Sequence, residues 1–413
     1  MLNRFTWRIG ALLIAVGALA ALVATSVAPA ASHKRTAGSL RIWVDADRVN
    51  ATKKLAQQWA SSRGFTAQVV QKGFGNIRDD LKTVKAADAP DVIMAAHDWT
   101  GELAANGLVV PLFPKKAALK QIPAYARKAF TYGKLFGMPV ALENVALFVN
   151  TKLAKVPKNW ADLEKKALAF KKGGSGRVAL DVQQGSGGDA YHMYPLFSGL
   201  CGYIFGSSSG RLNPNKLGVA NAKFLKNAKL IDRWNKEGLV SSKIDGNTAT
   251  QLFTSGKAAY WITGPWNIDT ARKAGISFKI VQVPKIKCAS VPFLGVQGLM
   301  VTKYAASHSV ATAAKDFVQS FMAKSSSQYE LTVLNGRYPA NTAAAKRVKD
   351  TSLKQIGLAS KGGVPMPNIP AMNSVWGDLG TAWVKATKGE DATPAKAAFQ
   401  TAARNIRAKI AGG

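Results

Sequence analysis

The distribution of apolar residues over the first hundred positions predicts strands and helices in regular alternation. Residues 40–44 alternate between apolar and polar side chains, as expected of a strand with one buried face. Further along, apolar residues recur at helical spacing or form short runs that suit buried parallel strands. The predicted order is strand 40–44, a helix that buries Leu55, Ala56 and Trp59, strand 66–70, helix 82–87 and strand 91–96. This order is typical of an open α/β sheet.

A second block with the same alternation begins near residue 150. A helix is predicted to start at Trp160, followed by a strand at 177–182, a flexible glycine-rich loop at 185–188 and a strand at 257–262. The C-terminal part of the chain, rich in Ala and Lys, is helical in pattern. Because a domain usually holds about 100–200 residues, two such blocks in 413 residues predict two lobes.

The first 31 residues have the pattern of a secretory signal peptide. Arg4 and Arg8 precede an apolar run that extends to Val27, and the small residues Ala28-Pro29-Ala30-Ala31 follow it. We expect cleavage there, with an uncleaved membrane anchor as the alternative. The segment contains no cysteine, so no lipid anchor is expected. The protein is therefore predicted to be exported, to the periplasm or the extracellular face of the cell membrane.

The charge balance is unusual, because 56 Lys and Arg residues face 23 Asp and Glu residues, which gives a formal net charge of +33. Most of the excess is lysine, scattered through pairs such as Lys115-Lys116 and Lys171-Lys172. A nucleic-acid groove would instead concentrate the charge on one stripe interleaved with aromatic residues. The pattern favours a solvated surface, and we expect no nucleic-acid partner.

Cysteine and histidine usage excludes several classes of protein. Cys201 and Cys288 are the only cysteines, which excludes a multi-disulfide scaffold and a Cys-rich zinc module but leaves one bridge possible. The four histidines stand far apart in the sequence and form no ligand pair. We therefore expect neither a metal nor a cofactor.

Polar residues follow the first and third predicted strands. Asp45, Asp47 and Arg48 come after the first strand, and Asp98 and Trp99 come after the third. Open α/β sheets bind ligands at the carboxyl ends of their strands. Both groups therefore lie at the expected ligand-binding edge.

Enzyme motifs in this sequence are weak. Residues 206–210 match the G-x-S-x-G template of serine hydrolases, but this Ser/Gly-rich tract predicts a flexible loop, not a strand-to-helix elbow. Asp98 and Glu143 are compatible with the acid and base of a glycosidase and equally with acceptors for ligand hydroxyls. No H-E-x-x-H, P-loop or dinucleotide-binding glycine pattern occurs.

Seven motifs occur in an order that matches a known family. They are LRIWV at 40–44, APDVI at 89–93 with AHD at 96–98, YGKL at 132–135 with MPV at 138–140, 150–157 leading to Trp160, GPW at 264–266, PFLGV at 292–296, and MPNIP at 366–370 before Trp376. With these motifs the chain resembles the maltose/maltodextrin-binding proteins, the extracellular solute-binding subunits of sugar ABC importers. The resemblance covers nearly all of residues 39–410.

The resemblance implies an α/β periplasmic-binding-protein fold, in which two lobes close on a ligand held in the cleft between them. Its hinge would consist of three crossing segments, at 141–146, 293–298 and 346–352. Lobe 1 would then comprise 38–141 plus 298–346, and lobe 2 would comprise 146–293 plus 352–413. Both cysteines would belong to lobe 2, so a bridge between them could not lock the cleft. A monomer is expected.

The family's ligand-binding positions carry over to ten residues of this sequence. They are Asp45, Asp47, Arg48, Asp98, Trp99, Glu143, Asp189, Tyr191, Trp266 and Trp376. Carboxylates accept hydrogen bonds from sugar hydroxyls, and aromatic rings cover the apolar face of a pyranose. We expect the polar groups of lobe 1 to fix the orientation of the hydroxyls and the aromatic groups of lobe 2 to supply most of the apolar burial. Two positions depart from the family, which usually has Trp at Ala95 and Arg at Trp99.

The function implied by the resemblance is binding of maltose or a maltodextrin, an α-glucan, and its delivery to the membrane permease of an ABC importer. No catalysis is expected. One alternative is a binder of another solute, including an anionic one, although five acids and one base among the ten residues predict an acidic cleft. A less favoured alternative is an exported glycosidase that uses Asp98 and Glu143.

Overall fold

The computed structural model describes residues 38–412. The predicted signal peptide at 1–31 lies outside the described residues. Within the described part the strands are β1 (Ser39–Asp45), β2 (Thr66–Lys72), β3 (Val92–Ala96), β4 (Thr131–Tyr132), β5 (Lys134–Leu135), β6 (Gly137–Glu143), β7 (Ala146–Asn150), β8 (Asp181–Val182), β9 (Phe205–Ser208), β10 (Arg211–Leu217), β11 (Tyr260–Thr263), β12 (Phe278–Val281), β13 (Phe293–Val301), β14 (Tyr338–Pro339) and β15 (Val364–Pro365).

The helices of the described residues surround these strands. They are α1 (Val49–Ser61), α2 (Phe74–Thr83), α3 (Thr100–Ala105), α4 (Lys116–Lys120), α5 (Ala124–Ala129), α6 (Trp160–Lys172), α7 (Ala190–Gly199), α8 (Ala222–Asn227), α9 (Lys229–Glu237), α10 (Gly246–Thr254), α11 (Ile268–Lys273), α12 (Tyr304–Ser307), α13 (Ala311–Lys315), α14 (Ser325–Asn335), α15 (Thr342–Arg347), α16 (Thr351–Ala359), α17 (Asn373–Ala386) and α18 (Ala395–Gly412). Short 3₁₀ turns occur at Ala86–Asp88, His97–Trp99, Pro265–Asn267 and Pro370–Met372, and a π-helical turn at Asp316–Phe321.

Two sheets organise the chain, each with its own hydrophobic core. The larger sheet has the strand order β14-β6-β13-β3-β1-β2, with β15 beside β13, and the smaller sheet has the order β12-β7-β11-β8. Strand β1 pairs in parallel with β2 and β3, as the α/β pattern predicted. Residues 40–141 and 296–340 form the core on the larger sheet. Two further clusters, which start at Val145 and Ala146, cover the smaller sheet.

The chain therefore runs from the first core to the second and back. It leaves the larger sheet between β6 and β7, returns between β12 and β13, and leaves again between α15 and α16. This arrangement is the two-sheet α/β architecture that the resemblance implied. The finer lobe boundaries at 141–146, 293–298 and 346–352 stay a prediction.

Most early elements are as predicted, and the differences have local causes. Strands β1, β2 and β3 and helix α1 are confirmed, but the predicted helix at 82–87 is wrong. Helix α2 occupies Phe74–Thr83 because Ile77 and Leu81 are its buried residues, and the backbone is extended at Val84. The strand expected at 177–182 shrinks to Asp181–Val182, and the strand expected at 257–262 starts at Tyr260.

The Ser/Gly-rich tract at 206–210 is not the flexible loop expected from its composition. It forms the end of β9 and the turn into β10, and these strands pair in antiparallel fashion. Ser209 and Gly210 both have positive φ angles, 50° and 75°, which is typical of a tight hairpin turn. A hairpin is not a strand-to-helix elbow, so the serine-hydrolase template has no structural support.

Cys201 and Cys288 form a disulfide, with their Cα atoms 5.3 Å apart. The bond joins the loop after α7 to the segment that precedes β13. The backbone nitrogens of Lys287 and Cys288 also donate hydrogen bonds to the carbonyl of Gly199, the last residue of α7. The bridge therefore fastens one end of α7 to the chain that leads back into the larger sheet.

Replacing both cysteines by serine should lower the free energy of unfolding by about 2–5 kcal/mol, because the bond closes a loop with a sequence separation of 87. Urea denaturation of the double variant measures the loss. Wild-type protein under reducing conditions is the control and should unfold at the same urea concentration as the variant. Equal stability of the oxidised wild type and the double variant would contradict the prediction.

Candidate ligand-binding site

All ten residues carried over from the resemblance line one cavity of about 550 Å³. The cavity lies between the two cores, because Trp99 belongs to the first core whereas Tyr191, Trp266 and Trp376 pack against the second. The other lining residues are Ala46, Lys72, Gly73, Phe74, Gly75, Arg78, Ala96, His192, Gln297, Arg337 and Met366. Tertiary structure thus brings together residues that are more than 300 positions apart in the sequence.

Glu143, the last residue of β6, is buried at the base of the cavity and is held by three side chains. Its Oε2 atom lies 3.1 Å from Arg337 Nε and 3.4 Å from an Nη atom of Arg48. Its Oε1 atom accepts a hydrogen bond of 2.7 Å from Gln297 Nε2, on β13. Both oxygens of this carboxylate are therefore occupied by protein groups.

The two arginines extend this network to the residues that follow β1. Arg48 pairs with the buried carboxylate of Asp45, and Arg337 donates a 2.9 Å hydrogen bond to Asp47. Burial alone would lower the pKa of Arg48, but Asp45 and Glu143 raise it above its ordinary value. We call these five residues, Asp45, Asp47, Arg48, Glu143 and Arg337, the charge network.

The acidic excess expected of the cleft is much smaller in the structure than in the sequence prediction. Four cations line the cavity, namely Arg48, Lys72, Arg78 and Arg337, against the five acids that the sequence identified. Each of the four has a carboxylate partner, with Lys72 2.9 Å from Asp80 and Arg78 2.9 Å from Asp79. Arg337 gave no sequence signal, because its partner Glu143 lies 194 residues away.

Asp98 lies in the 3₁₀ turn after β3, at the edge where the strand order predicted a ligand site. Its Oδ2 atom accepts a 3.0 Å hydrogen bond from Trp376 Nε1 on α17, which joins the two sides of the cavity. Its Oδ1 atom is buried and has no hydrogen-bond partner. Burial raises the pKa of Asp98 to about 6, although the bond from Trp376 acts in the opposite direction.

His97 holds this turn in place through two hydrogen bonds to the backbone of distant segments. Its Nδ1 atom accepts a 3.1 Å hydrogen bond from the backbone of Val296, so Nε2 carries the proton and donates to the carbonyl of Met366 at 3.0 Å. Burial lowers the pKa of His97 to about 4, which keeps the ring neutral near pH 7. The turn that carries Asp98 is thereby tied to β13 and to the segment that leads into α17.

Aromatic rings stand on both sides of the cavity, including the side that was expected to be mainly polar. Tyr191 and Trp266 lie on the side of the second core, with ring centres 6.2 Å apart. Opposite them, Phe74 packs at 4.9 Å against Trp99, and 41% of Phe74 remains exposed. Phe74 lies two residues after the end of β2, and the rule that ligands bind at strand ends would have found it if α2 had been placed correctly.

Asp189 caps the N-terminus of α7 and is held by two neighbouring side chains. Its Oδ1 atom accepts the backbone N–H of His192 at 2.9 Å, and its Oδ2 atom lies 2.8 Å from both His192 Nδ1 and Gln183 Nε2. Burial would raise the pKa of Asp189, but the electrostatic interaction with His192 and the hydrogen bonds from His192 and Gln183 lower it overall. His192 lies three residues after the capping Asp189, which is the usual distance between a capping side chain and the backbone N–H that it binds. This spacing could have identified His192 from the sequence.

The end of the glycine-rich loop before Asp189 packs closely against α17. Gly188 has a φ of 76°, and a Cβ atom there would collide with the backbone of Gly380 on α17. Only glycine permits both the left-handed backbone and this close approach. The contact sets the position of Asp189 and hence of the first turn of α7.

Five buried side-chain atoms around the cavity have no hydrogen-bond partner within the protein. They are Arg48 Nε, Asp98 Oδ1, Tyr191 Oη, His192 Nε2 and Gln297 Oε1. Buried polar atoms are normally paired, so these unpaired atoms beside the cavity are the candidates for hydrogen bonds to a polar ligand. Among the described residues no group of three metal-ligating side chains occurs. Residues 38–412 also contain no helix of the length and apolar character that crossing a bilayer requires.

Comparison with known proteins identifies the family. Residues 54–355 match the model of the bacterial extracellular solute-binding proteins. The chain belongs to this family. The galactooligosaccharide-binding protein of Bacillus subtilis (strain 168) is 30% identical over 393 residues, which cover 90% of each chain. A maltodextrin-binding protein of the same organism is 27% identical over 426 residues, with 94% and 96% coverage.

Solved structures confirm the resemblance and the fold of this solute-binding protein. The Thermus thermophilus maltotriose-binding protein, bound with maltotriose, aligns with a TM-score of 0.79 at 27% identity and covers 90% of this chain and 100% of its own. A cyclo/maltodextrin-binding protein complexed with maltotetraose aligns with a TM-score of 0.74 at 26% identity, with 91% and 98% coverage. The predicted two-lobed α/β fold is therefore confirmed.

The raised pKa of Asp98 predicts a pH-dependent stability difference between wild type and Asp98→Asn. The folded state binds the proton more tightly than the unfolded state, so this contribution is full below about pH 4 and is lost as the pH rises through 6. Relative to the variant, wild type should lose up to about 3 kcal/mol between pH 4 and 7. Urea unfolding at several pH values measures this.

The exposed carboxyl of Asp391 provides the matched control for that experiment. The Asp391→Asn variant should follow the wild-type pH dependence throughout. A constant difference between wild type and Asp98→Asn from pH 4 to 7 would show that Asp98 is not desolvated in the folded protein.

Proposed function

We propose that this protein is the solute-binding subunit of an ABC importer that binds maltose/maltodextrin-type α-glucans and delivers them to a membrane permease. The observation that carries the proposal is the composition of the cavity, in which aromatic rings on two sides enclose a set of unpartnered polar atoms. Its volume of about 550 Å³ lies within the roughly 300–1,000 Å³ of pockets that hold small ligands. Relatives whose names include maltodextrin and maltotriose support the choice of sugar.

The aromatic rings and the unpartnered polar atoms would bind different parts of an uncharged sugar. Trp266 and Trp376 are partly exposed and would cover the apolar C–H face of a pyranose ring. Asp98 and Gln297 offer acceptor oxygens for hydroxyls, while Arg48 Nε and the Tyr191 hydroxyl offer donors. A ligand that touches both sides binds the closed form better than the open one, and only such a difference shifts the equilibrium.

Catalysis is not part of this proposal. A glycosidase would need Glu143 as a base or nucleophile, but both of its oxygens are held by Arg48, Arg337 and Gln297. Prolonged incubation of maltodextrins with pure protein tests this point. Sustained release of shorter sugars would support the glycosidase instead.

An anionic solute is disfavoured for a similar reason. The four cations of the cavity already hold carboxylate partners, so their positive charge is largely compensated before any anion binds. The specific rival is a galactooligosaccharide, because the relative at 30% identity is named for that ligand. Export to the periplasm or the outer face of the membrane and a monomeric state complete the proposal.

A panel of sugars tests the proposal most directly. Thermal unfolding with maltose, maltotriose, maltotetraose, a galactooligosaccharide and citrate should show stabilisation by the α-glucans, since a ligand at 100 times its Kd stabilises by about 2.7 kcal/mol. Stabilisation by the galactooligosaccharide alone would move the assignment to that class. Stabilisation by citrate alone would favour the anion binder.

Tyr191, Trp266 and Trp376 form the aromatic wall of the cavity. Truncation of its tryptophans should weaken sugar binding without unfolding the protein. Trp266→Ala and Trp376→Ala should each cost roughly 1–3 kcal/mol of binding free energy, because apolar contact with the sugar ring is lost. Isothermal titration calorimetry with maltotriose measures the loss. Tyr203→Ala, at an exposed aromatic residue outside the cavity, is the control and should bind like wild type. Wild-type affinity in both tryptophan variants would refute the assignment of these rings.

A further inference from the structure

Among the residues carried over from the resemblance, Asp189 is the one carboxylate beside Tyr191 and Trp266, on the side of the second core. Its hydrogen bonds are already made within the protein. Its Oδ1 atom serves as the cap of α7. Its Oδ2 atom faces two donors, His192 Nδ1 and Gln183 Nε2, each at 2.8 Å. A carboxylate used in this way has little capacity left for ligand hydroxyls.

The imidazole of His192, unlike the carboxylate of Asp189, has an atom without a hydrogen-bond partner. The residue lines the cavity and is only 6% exposed, and its Nε2 atom is buried without a partner. The ring meets Trp266 edge to face, with ring centres 5.4 Å apart, and Tyr191 in the same manner at 5.8 Å. The free nitrogen therefore belongs to the aromatic wall on which a sugar ring would lie.

The partner of Nδ1 determines what Nε2 can do. Asp189 Oδ2 lies 2.8 Å from His192 Nδ1, and a carboxylate oxygen must receive a proton from the imidazole. When the ring is neutral, its one proton is consequently on Nδ1, which leaves a lone pair on Nε2. This arrangement, in which a carboxylate sets the tautomer of a histidine, makes Nε2 a hydrogen-bond acceptor.

We propose that His192 Nε2 accepts a hydrogen bond from a hydroxyl of the sugar packed against Trp266, and that Asp189 and Gln183 are positioning residues that orient the imidazole. The inference rests on the proposed function and reassigns Asp189, which the resemblance had placed in direct contact with the ligand. It also adds a selection against anions, because a ligand carboxylate or phosphate oxygen without a proton cannot donate to Nε2.

Calorimetric titration of maltotriose into matched variants tests the assignment. His192→Phe keeps an aromatic ring beside Trp266 but removes the acceptor, and should weaken binding roughly 3–10-fold, the effect of one lost hydrogen bond. His192→Gln restores a polar side chain and should recover part of that loss. The control is Tyr194→Phe on the same helix, at a residue that does not line the cavity, and it should bind like wild type.

The Asp189→Asn variant tests whether Asp189 acts by orienting His192 or by binding the sugar directly. The asparagine oxygen can still cap α7, whereas its amide nitrogen would donate to Nδ1 and move the ring proton to Nε2. The ¹⁵N spectrum of histidine-labelled protein reports this change, since an unprotonated and a protonated ring nitrogen resonate far apart. The His192→Gln variant identifies the signal among the four histidines.

In wild type the His192 Nε2 signal should be that of an unprotonated nitrogen and should shift when maltotriose is added. In Asp189→Asn it should become that of a protonated nitrogen, and affinity should fall. An Nε2 signal that maltotriose leaves unchanged, or wild-type affinity in His192→Phe, would overturn the role of His192 even though the protein binds sugar. Absence of binding by wild type to every sugar of the panel would overturn the proposed function itself.

Discussion

The charge network at the base of the cavity is the constraint on which the rest of the site depends. Glu143 and Arg48 are buried where an unpaired charge would cost several kcal/mol, so each needs its partners in place. The network joins β1 and the following turn to β6 and to the segment before β14, and Gln297 adds β13. The carboxyl ends of the larger sheet and the start of the crossing toward β7 are thereby held in one arrangement.

Because the two arginines of the charge network are paired with its three carboxylates, the cavity is less charged in effect than its residue composition indicates. The carboxylates with the strongest protein partners, Glu143 and Asp189, have few lone pairs left for a ligand. The atoms that remain unpartnered are mostly single donors and acceptors, among them Tyr191 Oη and Asp98 Oδ1. Such a set suits the alternating donors and acceptors of sugar hydroxyls, and the strongly basic surface of the protein has no counterpart inside the cavity.

The wall of the cavity on the side of the second core, which carries Tyr191 and Trp266, is positioned by packing rather than by charge. Gly188 lets the start of α7 pack closely against Gly380 of α17. The disulfide between Cys201 and Cys288 joins the other end of α7 to the segment before β13. Tyr194 stacks on Phe293, the first residue of β13, with ring centres only 3.5 Å apart. The wall that carries Tyr191 is therefore supported at both ends of one helix, which limits the positions that its side chains can take.

The sequence by itself determined the elements whose signal is local: the strands at 40–44, 66–70 and 91–96, the amphipathic helix after the first, and, through ordered motifs, the family and the ten cavity residues. Side-chain partnerships were decided only by tertiary structure. Arg337 reaches Glu143 across 194 positions, and the pairing of Cys201 with Cys288 spans 87. A local pattern records which face of an element is buried, whereas the partner of a buried charge depends on how distant segments meet in space.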